Sequence, residues 1–181
     1  MMTRDDVLGV LRTVDDPEMP ISIVDLGLVE RVEVRAAGAL NSGPSALAEV
    51  QDVVIELLPT FVGCHALPMI ERNVRDAVSR LSGAGSVEVR FRFDPPWSPD
   101  RISEAGREAL RQFGVTVPVR AGQGASCAER PVSLSLPRPE ACPVCGSTNV
   151  RLESAFGPTR CRMIYHCEDC RNPFEHIKRL D

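Results

Sequence analysis

The cysteines near the C-terminal end have a type and spacing suited to metal binding. Cys142 and Cys145 form one C-x2-C pair, Cys167 and Cys170 form a second, and 21 residues separate the two pairs. Two residues between thiolates let a tight turn aim both sulfurs at one ion, and a hairpin can bring the second pair back. The pattern predicts a zinc ribbon with one structural zinc. Four protein ligands close the coordination sphere, so we expect no catalysis there.

Other side chains could compete for that ion. Cys161, His166 and His176 lie within the predicted ribbon. The symmetry of the two C-x2-C pairs favours the four-cysteine set over a set that includes one of these residues. Cys127 lies in a stretch rich in Gly, Ala and Ser, and we expect it to be inert.

Cys64 is the candidate for chemistry outside the ribbon. It follows Gly63 at the junction between a predicted strand and a predicted helix. A thiol at a helix N-terminus meets unpaired backbone N–H groups and the positive end of the helix dipole, and both favour the thiolate. A small buried side chain that happens to contain sulfur fits the same position equally well. We interpret the adjacent His65 as a surface or packing residue, because neighbours in sequence point in different directions.

Acidic side chains cluster before the first predicted strand. Asp16, Glu18 and Asp25 could form a second wall of a pocket around Cys64. The alternative is that they are ordinary turn and helix-end carboxylates, with Asp25 binding nearby backbone N–H groups. Taken alone, the residues favour this alternative.

The composition excludes several classes of protein. The chain has 181 residues, 43% of them apolar, and a net charge of −4, which suits one modest domain with a small appendage. It has no apolar run of about eighteen residues, so we expect no membrane span. Seven cysteines without an apparent export signal indicate a reducing, cytoplasmic location and metal binding instead of disulfides. No basic patch is present, so we expect no nucleic-acid partner.

The predicted elements follow the order helix, strand, strand, helix, strand, helix. Apolar spacing predicts three helices: residues 3–14, a second ending near Leu81, and a third from Ser98 to about Phe113. Alternation predicts three strands, with a turn-rich loop over 36–48 between the first two: residues 28–35, 50–58 and 86–93. The pattern predicts a small α/β (α+β) domain over 1–114 with a three-stranded mixed sheet, a linker over 115–140, and the ribbon over 141–181.

Four segments together carry a resemblance that spans nearly the whole chain. They are DPEMPISIVDLGLV, LLPTFVGCHA, RFDPPWSPDRISEAGREALRQFG and CPVCGSTNVRLESAFGPTRCRMIYHCEDCRNPFEHIK. In these segments the sequence resembles the PaaD-type subunits encoded with phenylacetyl-CoA ring-epoxidase systems. Its first hundred residues or so are similar to the wider MIP18 (DUF59) family of iron–sulfur and metal-cluster maturation factors.

The resemblance implies roles for particular residues. Cys64 matches the reactive cysteine of the wider family, and Thr60 matches the threonine before it. Asp16, Glu18 and Asp25 match the acidic N-terminal motif. His65 departs from the pattern, because many relatives have proline after the cysteine.

The resemblance also implies a function. We expect an accessory or maturation factor for the metal centre, di-iron or iron–sulfur, of a phenylacetyl-CoA epoxidase complex in aromatic degradation, and not an enzyme in its own right. The expected cofactors are a structural zinc in the ribbon and a transient iron or iron–sulfur cluster at Cys64. The expected partners are subunits of the epoxidase complex or its reductase, with a homodimer left open. A structural adaptor without chemistry at Cys64 and a thiol-dependent enzyme are the alternatives.

Overall fold

A computed structural model describes residues 1–36, 50–120 and 138–179. The chain divides into two compact units, Met1–Trp97 and Ser98–Asp181. The predicted loop over 36–48 falls almost entirely outside the described residues, as do Cys127 and most of the predicted linker. None of the helices in the described ranges has the length and apolar composition needed to cross a bilayer.

The first unit is a three-stranded sheet with two helices. Its elements are α1 (Arg4–Leu11), β1 (Val29–Ala36), β2 (Gln51–Leu57), α2 (Leu67–Val78) and β3 (Ala84–Phe91). The strand order is β1-β2-β3, with β1 antiparallel to β2 and β3 parallel to it. The predicted mixed sheet is therefore confirmed. The last strand ends before Phe93, which the alternation had included and which is exposed in the structure.

The two faces of this sheet differ in chemistry. Because successive side chains in a strand point to opposite faces, Val53, Ile55 and Leu57 of β2 share one face and are almost fully buried. The other face carries alternating charges across all three strands, namely Arg31, Glu33, Arg35, Glu56, Glu88 and Arg90. A one-residue slip would exchange these two sets, so the burial of one face fixes the register.

Local sequence signals account for the start of α1 and for the buried face of α2. Thr3 and Asp6 form a capping box at the start of α1, which supplies partners for two otherwise unpaired N–H groups. In α2 the residues Ile70, Val74 and Val78 are buried at helical spacing. This apolar stripe holds the helix, and so fixes the position of the loop that precedes it.

The second unit contains a four-stranded sheet. Its elements are a 3₁₀ turn (Pro99–Arg101), α3 (Glu104–Gln112), β4 (Val115–Thr116), β5 (Val150–Ser154), β6 (Arg162–Cys167) and β7 (Pro173–Ile177). The strand order is β4-β7-β6-β5. Strands β5, β6 and β7 are antiparallel neighbours, whereas β4 lies parallel to β7.

The structure divides the helix predicted from Ser98 to Phe113. Ser98 accepts a hydrogen bond from Asp100 N–H at 3.4 Å, but this cap begins only the short 3₁₀ turn. Ile102 is extended, and Ser103 then accepts a hydrogen bond from Gly106 N–H at 3.0 Å at the start of α3. Two serine caps five residues apart therefore compete, and the second one starts the α-helix.

Part of the predicted linker is structured. Val115 and Thr116 pair with Glu175 and His176 of β7, so this short strand belongs to the same sheet as the ribbon hairpin. The guanidinium of Arg107 donates 2.9 Å hydrogen bonds to the carbonyls of Pro99 and Pro118, which holds both flanks of α3. Residues Ser98–Asp181 form the second compact unit, so α3 and β4 lie in the same unit as the ribbon strands.

Candidate functional site

The structure brings the four cysteines of the two C-x2-C pairs together. Cys142 and Cys145 lie in the turn before β5, Cys167 ends β6, and Cys170 lies in the turn between β6 and β7. All four sulfurs lie within 4.8 Å of one another. The strand pairing explains this arrangement, because β5 and β6 are antiparallel and Val150 lies opposite Cys167.

The two turns that carry the cysteines have the same backbone form. Gly146 N–H donates to the carbonyl of Cys142, and Arg171 N–H donates to the carbonyl of Cys167, each at 2.9 Å. Gly146 and Arg171 both have a positive φ, of 76° and 61°. Glycine adopts this conformation readily, whereas arginine seldom does. The second turn therefore has a positive φ although the residue there is arginine. The hairpin of β6 and β7 and the convergence of the four sulfurs fix this conformation.

A carboxylate connects the two turns. Asp169 accepts hydrogen bonds from the Ser147 hydroxyl at 2.5 Å and from the Asn149 amide at 3.0 Å. These bonds lower the pKa of Asp169, that from Ser147 most strongly. The residue between the second pair of cysteines thus fastens its turn to the first.

The distances between sulfurs fit a single tetrahedral ion. The sulfurs of Cys142 and Cys170 are 3.7 Å apart, and those of Cys145 and Cys167 are 3.6 Å apart. Four sulfurs around zinc at about 2.3 Å would lie about 3.8 Å from one another, whereas a disulfide needs about 2.05 Å. The four-thiolate set is consistent with zinc, which favours this combination of ligand and geometry.

Without an ion, four close sulfurs cannot all carry negative charge. A backbone hydrogen bond from Ser147 lowers the pKa of Cys145, but burial and the three neighbouring sulfurs outweigh it and raise that pKa to about 12. Hydrogen bonds from the side chain and backbone of Asn172 lower the pKa of Cys170 to about 6. A divalent cation would offset the repulsion and release the remaining protons.

The other candidate ligands lie outside this cluster. Cys161 is buried, with its sulfur 3.2 Å from the Thr159 hydroxyl. A nitrogen of His166 lies 3.8 Å from a Glu153 carboxylate oxygen. His176 is completely buried, and its Nδ1 lies 2.8 Å from the Thr116 hydroxyl.

The burial of His176 predicts a pH dependence of the second unit. Burial lowers the pKa of this imidazole to about 4, so the unfolded chain binds more protons between about pH 4 and pH 6.5. The contribution of His176 to stability is therefore complete above about pH 6.5 and declines as the pH falls toward 4. We expect an NMR titration of the zinc-loaded protein to show neutral His176 down to about pH 4. A midpoint near 6.5 would contradict this assignment.

Cys64 lies in an open loop ahead of α2, not within the helix. It is half-buried and precedes the first helical residue, Leu67, by three positions. Its backbone N–H donates to the carbonyl of Phe61 at 3.1 Å, and its own carbonyl accepts from Leu67 N–H at 3.5 Å. The flanking Val62 and His65 are exposed. The thiol is therefore partly accessible, in a turn stabilised by backbone hydrogen bonds.

The three predicted acidic residues have different environments. Asp16 Oδ1 accepts the Glu18 N–H at 2.8 Å, and Asp25 Oδ2 accepts the Ser22 hydroxyl at 2.8 Å. These two carboxylates thus support local turns. Glu18 instead reaches the Cys64 loop, where its Oε1 lies 3.3 Å from Nε2 of His65.

Thr60 is the other predicted site residue. It is half-buried and follows β2 in the sequence, four residues before Cys64.

Cys64 and these acids do not form a preassembled cluster of ligands. Within residues 1–36, 50–120 and 138–179, the four ribbon cysteines are the one group of three or more potential ligand atoms that lie within 4.8 Å of one another. The sequence missed the contact between His65 and Glu18. Since 46 residues separate the two, no local pattern could have revealed it.

An α/β domain with an accessible cysteine loop, followed by a four-cysteine ribbon, defines a class of metal-associated proteins with two parts. The comparisons with known proteins specify the class. Residues 4–91 match the family model of an iron-sulfur cluster assembly protein, and residues 131–178 match the PaaD zinc beta ribbon domain. The chain therefore belongs to the PaaD family, with an iron–sulfur assembly (DUF59/MIP18) domain and a PaaD zinc ribbon.

Individual relatives cover either nearly the whole chain or about three fifths of it. A protein of Escherichia coli described as a putative subunit of 1,2-phenylacetyl-CoA epoxidase is 32% identical, over 96% of this chain and 91% of that protein. An Fe-S protein maturation auxiliary factor of Porphyromonas gingivalis is 32% identical, over 63% of this chain and 93% of that one. A solved DUF59 domain of Bacillus anthracis is 28% identical with a TM-score of 0.49, over 59% of this chain and 89% of that one.

Proposed function

We propose that this protein is an accessory factor that helps to assemble or repair the metal centre, di-iron or iron–sulfur, of a phenylacetyl-CoA epoxidase complex. Its partners would be subunits of that complex or its reductase, in the cytoplasm. The observation that carries the proposal is the contrast between two sulfur sites. Four cysteines lie in one closed cluster, whereas Cys64 lies half-buried in the loop before α2.

The two sites suit different tasks. A closed set of four thiolates holds a resident ion tightly and leaves no position for exchange, so zinc in the ribbon would be structural. A single accessible thiol can take up an ion and pass it on. The carboxylate of Glu18 beside the Cys64 loop would oppose a bare thiolate by repulsion. A cation bound there would offset both charges, so the loop suits transient metal better than nucleophilic catalysis.

A structural adaptor is the second candidate function. The observation that favours it is that Cys64 does not belong to a preassembled cluster of three ligands in the part of the chain described. In that case the chain would stabilise the epoxidase complex by contact alone. A thiol-dependent enzyme has less support, because the histidine next to Cys64 contacts Glu18.

Replacement of Cys64 by serine separates the two candidates. We compare cells that express the epoxidase complex with the wild-type chain or with the variant Cys64→Ser. With the variant, we expect the iron content of the oxygenase to be at least about tenfold lower, because its metal donor has lost a ligand. Binding of the variant to the complex should be unchanged. The measurements are the iron content of the purified oxygenase and co-purification of this chain.

The matched control is Cys161→Ser, which changes a cysteine outside both sulfur sites. We expect normal iron content with this variant. An oxygenase that retains its iron with Cys64→Ser would favour the adaptor function instead.

A further inference from the structure

Strand β3 forms an open edge of the sheet in the first unit. In the part of the chain that the structure describes, the strand order is β1-β2-β3, so β3 pairs with β2 on one side only. Its pairing with β2 is regular from Val87 to Phe91. The backbone N–H and C=O groups that point away from β2 along this stretch are a template for pairing with a strand of another chain.

The apolar face of the sheet is incompletely covered at this edge. Val87, Val89 and Phe91 lie opposite the buried β2 residues, which are at most 1% exposed. On β3 itself, Val87 and Phe91 are only half-buried, and Phe93, just after the strand, is 51% exposed. A further strand beside β3 would cover this apolar surface, which favours association on the apolar side of the sheet.

The residues of β3 complement a second copy of the same strand. In an antiparallel pair with a two-fold axis at Val89, Glu88 lies opposite Arg90 of the second copy, and Arg90 lies opposite its Glu88. On the apolar face, Val87 lies opposite Phe91 of the second copy. Pairs of opposite charge and pairs of an aromatic with a β-branched side chain both stabilise neighbouring strands. The Glu88 and Arg90 side chains are 43% and 52% exposed, so both are accessible to a second copy.

Neighbouring registers lack this complementarity. An axis at Glu88 would place two glutamates opposite each other, and an axis at Arg90 would place two arginines opposite each other, which is unfavourable in either case. A shift of one residue between the strands would bring apolar side chains of one copy onto the charged face of the other. Among these registers, the one centred on Val89 matches on both faces of the sheet.

We propose that two copies of this chain associate through antiparallel pairing of their β3 strands about a two-fold axis at Val89. The two three-stranded sheets then form one continuous sheet of six strands. The contact is closed, because each copy uses the same edge and neither β3 edge remains free for a third copy. The surface includes none of the residues proposed to handle metal, so the inference does not depend on the proposed function.

Charge reversal on β3 tests this pairing in the full-length, zinc-loaded protein. Sedimentation velocity over a range of protein concentrations should show a dimer for the wild type. In Glu88→Arg and in Arg90→Glu, like charges lie opposite each other twice, so we expect dimerisation at least about tenfold weaker. An equimolar mixture of the two variants should form a dimer again, as should the double variant that carries both substitutions, because opposite charges then face each other once more.

Arg31→Glu is the matched control, because it reverses an exposed charge on the same face of the sheet but on β1, at the other edge. We expect it to dimerise like the wild type. Unchanged far-UV circular dichroism spectra would show that the variants are folded. A monomeric wild type overturns the inference, as does a dimer that Arg31→Glu weakens and Glu88→Arg does not. Single variants whose dimers are lost and are not restored by mixing or by the double substitution also contradict the proposed register.

Discussion

Removal of zinc should unfold the second unit from Ser98 onward, and not only the residues between the cysteines. Two of the ligands, Cys142 and Cys167, are themselves buried in the core of the ribbon, with Val150, Met163, Tyr165 and Phe174. Strand β4 pairs with β7 of the same sheet, so its order depends on that core. Zinc contributes roughly 10–16 kcal/mol to the folding of small zinc peptides, as much as the whole stability of a typical domain.

Hydrogen exchange measures this effect directly. After treatment with a strong chelator, or in the variant Cys167→Ser, we expect backbone amides of α3 and β4 to lose protection together with those of β5, β6 and β7. Amides of the first unit should keep their protection. The variant Cys161→Ser serves as the control, because it removes a sulfur outside the cluster. Protected amides in α3 and β4 after loss of zinc would show that the ribbon is an independent module, as the sequence had predicted.

Truncation of Ile70 should destabilise the first unit strongly. Ile70 is 2% exposed and lies in the buried stripe of α2. Replacing such a side chain with alanine costs about 2–5 kcal/mol, because apolar contacts are lost and a cavity remains. This is a large part of the roughly 5–15 kcal/mol that holds a domain folded. We expect a correspondingly lower denaturation midpoint for the first unit.

The neighbouring residue offers a close control. Met69 lies in the same helix but is 54% exposed, so Met69→Ala should change stability by no more than about 0.5 kcal/mol. Far-UV circular dichroism in urea compares the two variants, and fluorescence of the single tryptophan, Trp97, reports on the first unit, where its indole N–H donates to the carbonyl of Leu26. Equal effects of the two substitutions would mean that α2 is not held by its apolar stripe.

The sequence by itself determined the features that depend on neighbours along the chain. The C-x2-C spacing places two sulfurs on one turn, and the structure brings both pairs together. Thr3 and Asp6, three residues apart, determined the start of α1. Alternation in β2 and helical spacing in α2 predicted the mixed sheet and its buried face, because burial repeats with the period of the backbone.

Only the tertiary structure decided which distant segments meet. Pairing of β4 with β7 joins Thr116 to His176, and a two-residue strand is too short for its own pattern to indicate a partner. Ser98 and Ser103 are both good caps, and the choice between them depends on what each following segment packs against. His65 contacts Glu18 because the loop before α2 folds back on the acidic turn. Contacts of this kind depend on how the chain folds on itself, so they leave no periodic signal in the sequence.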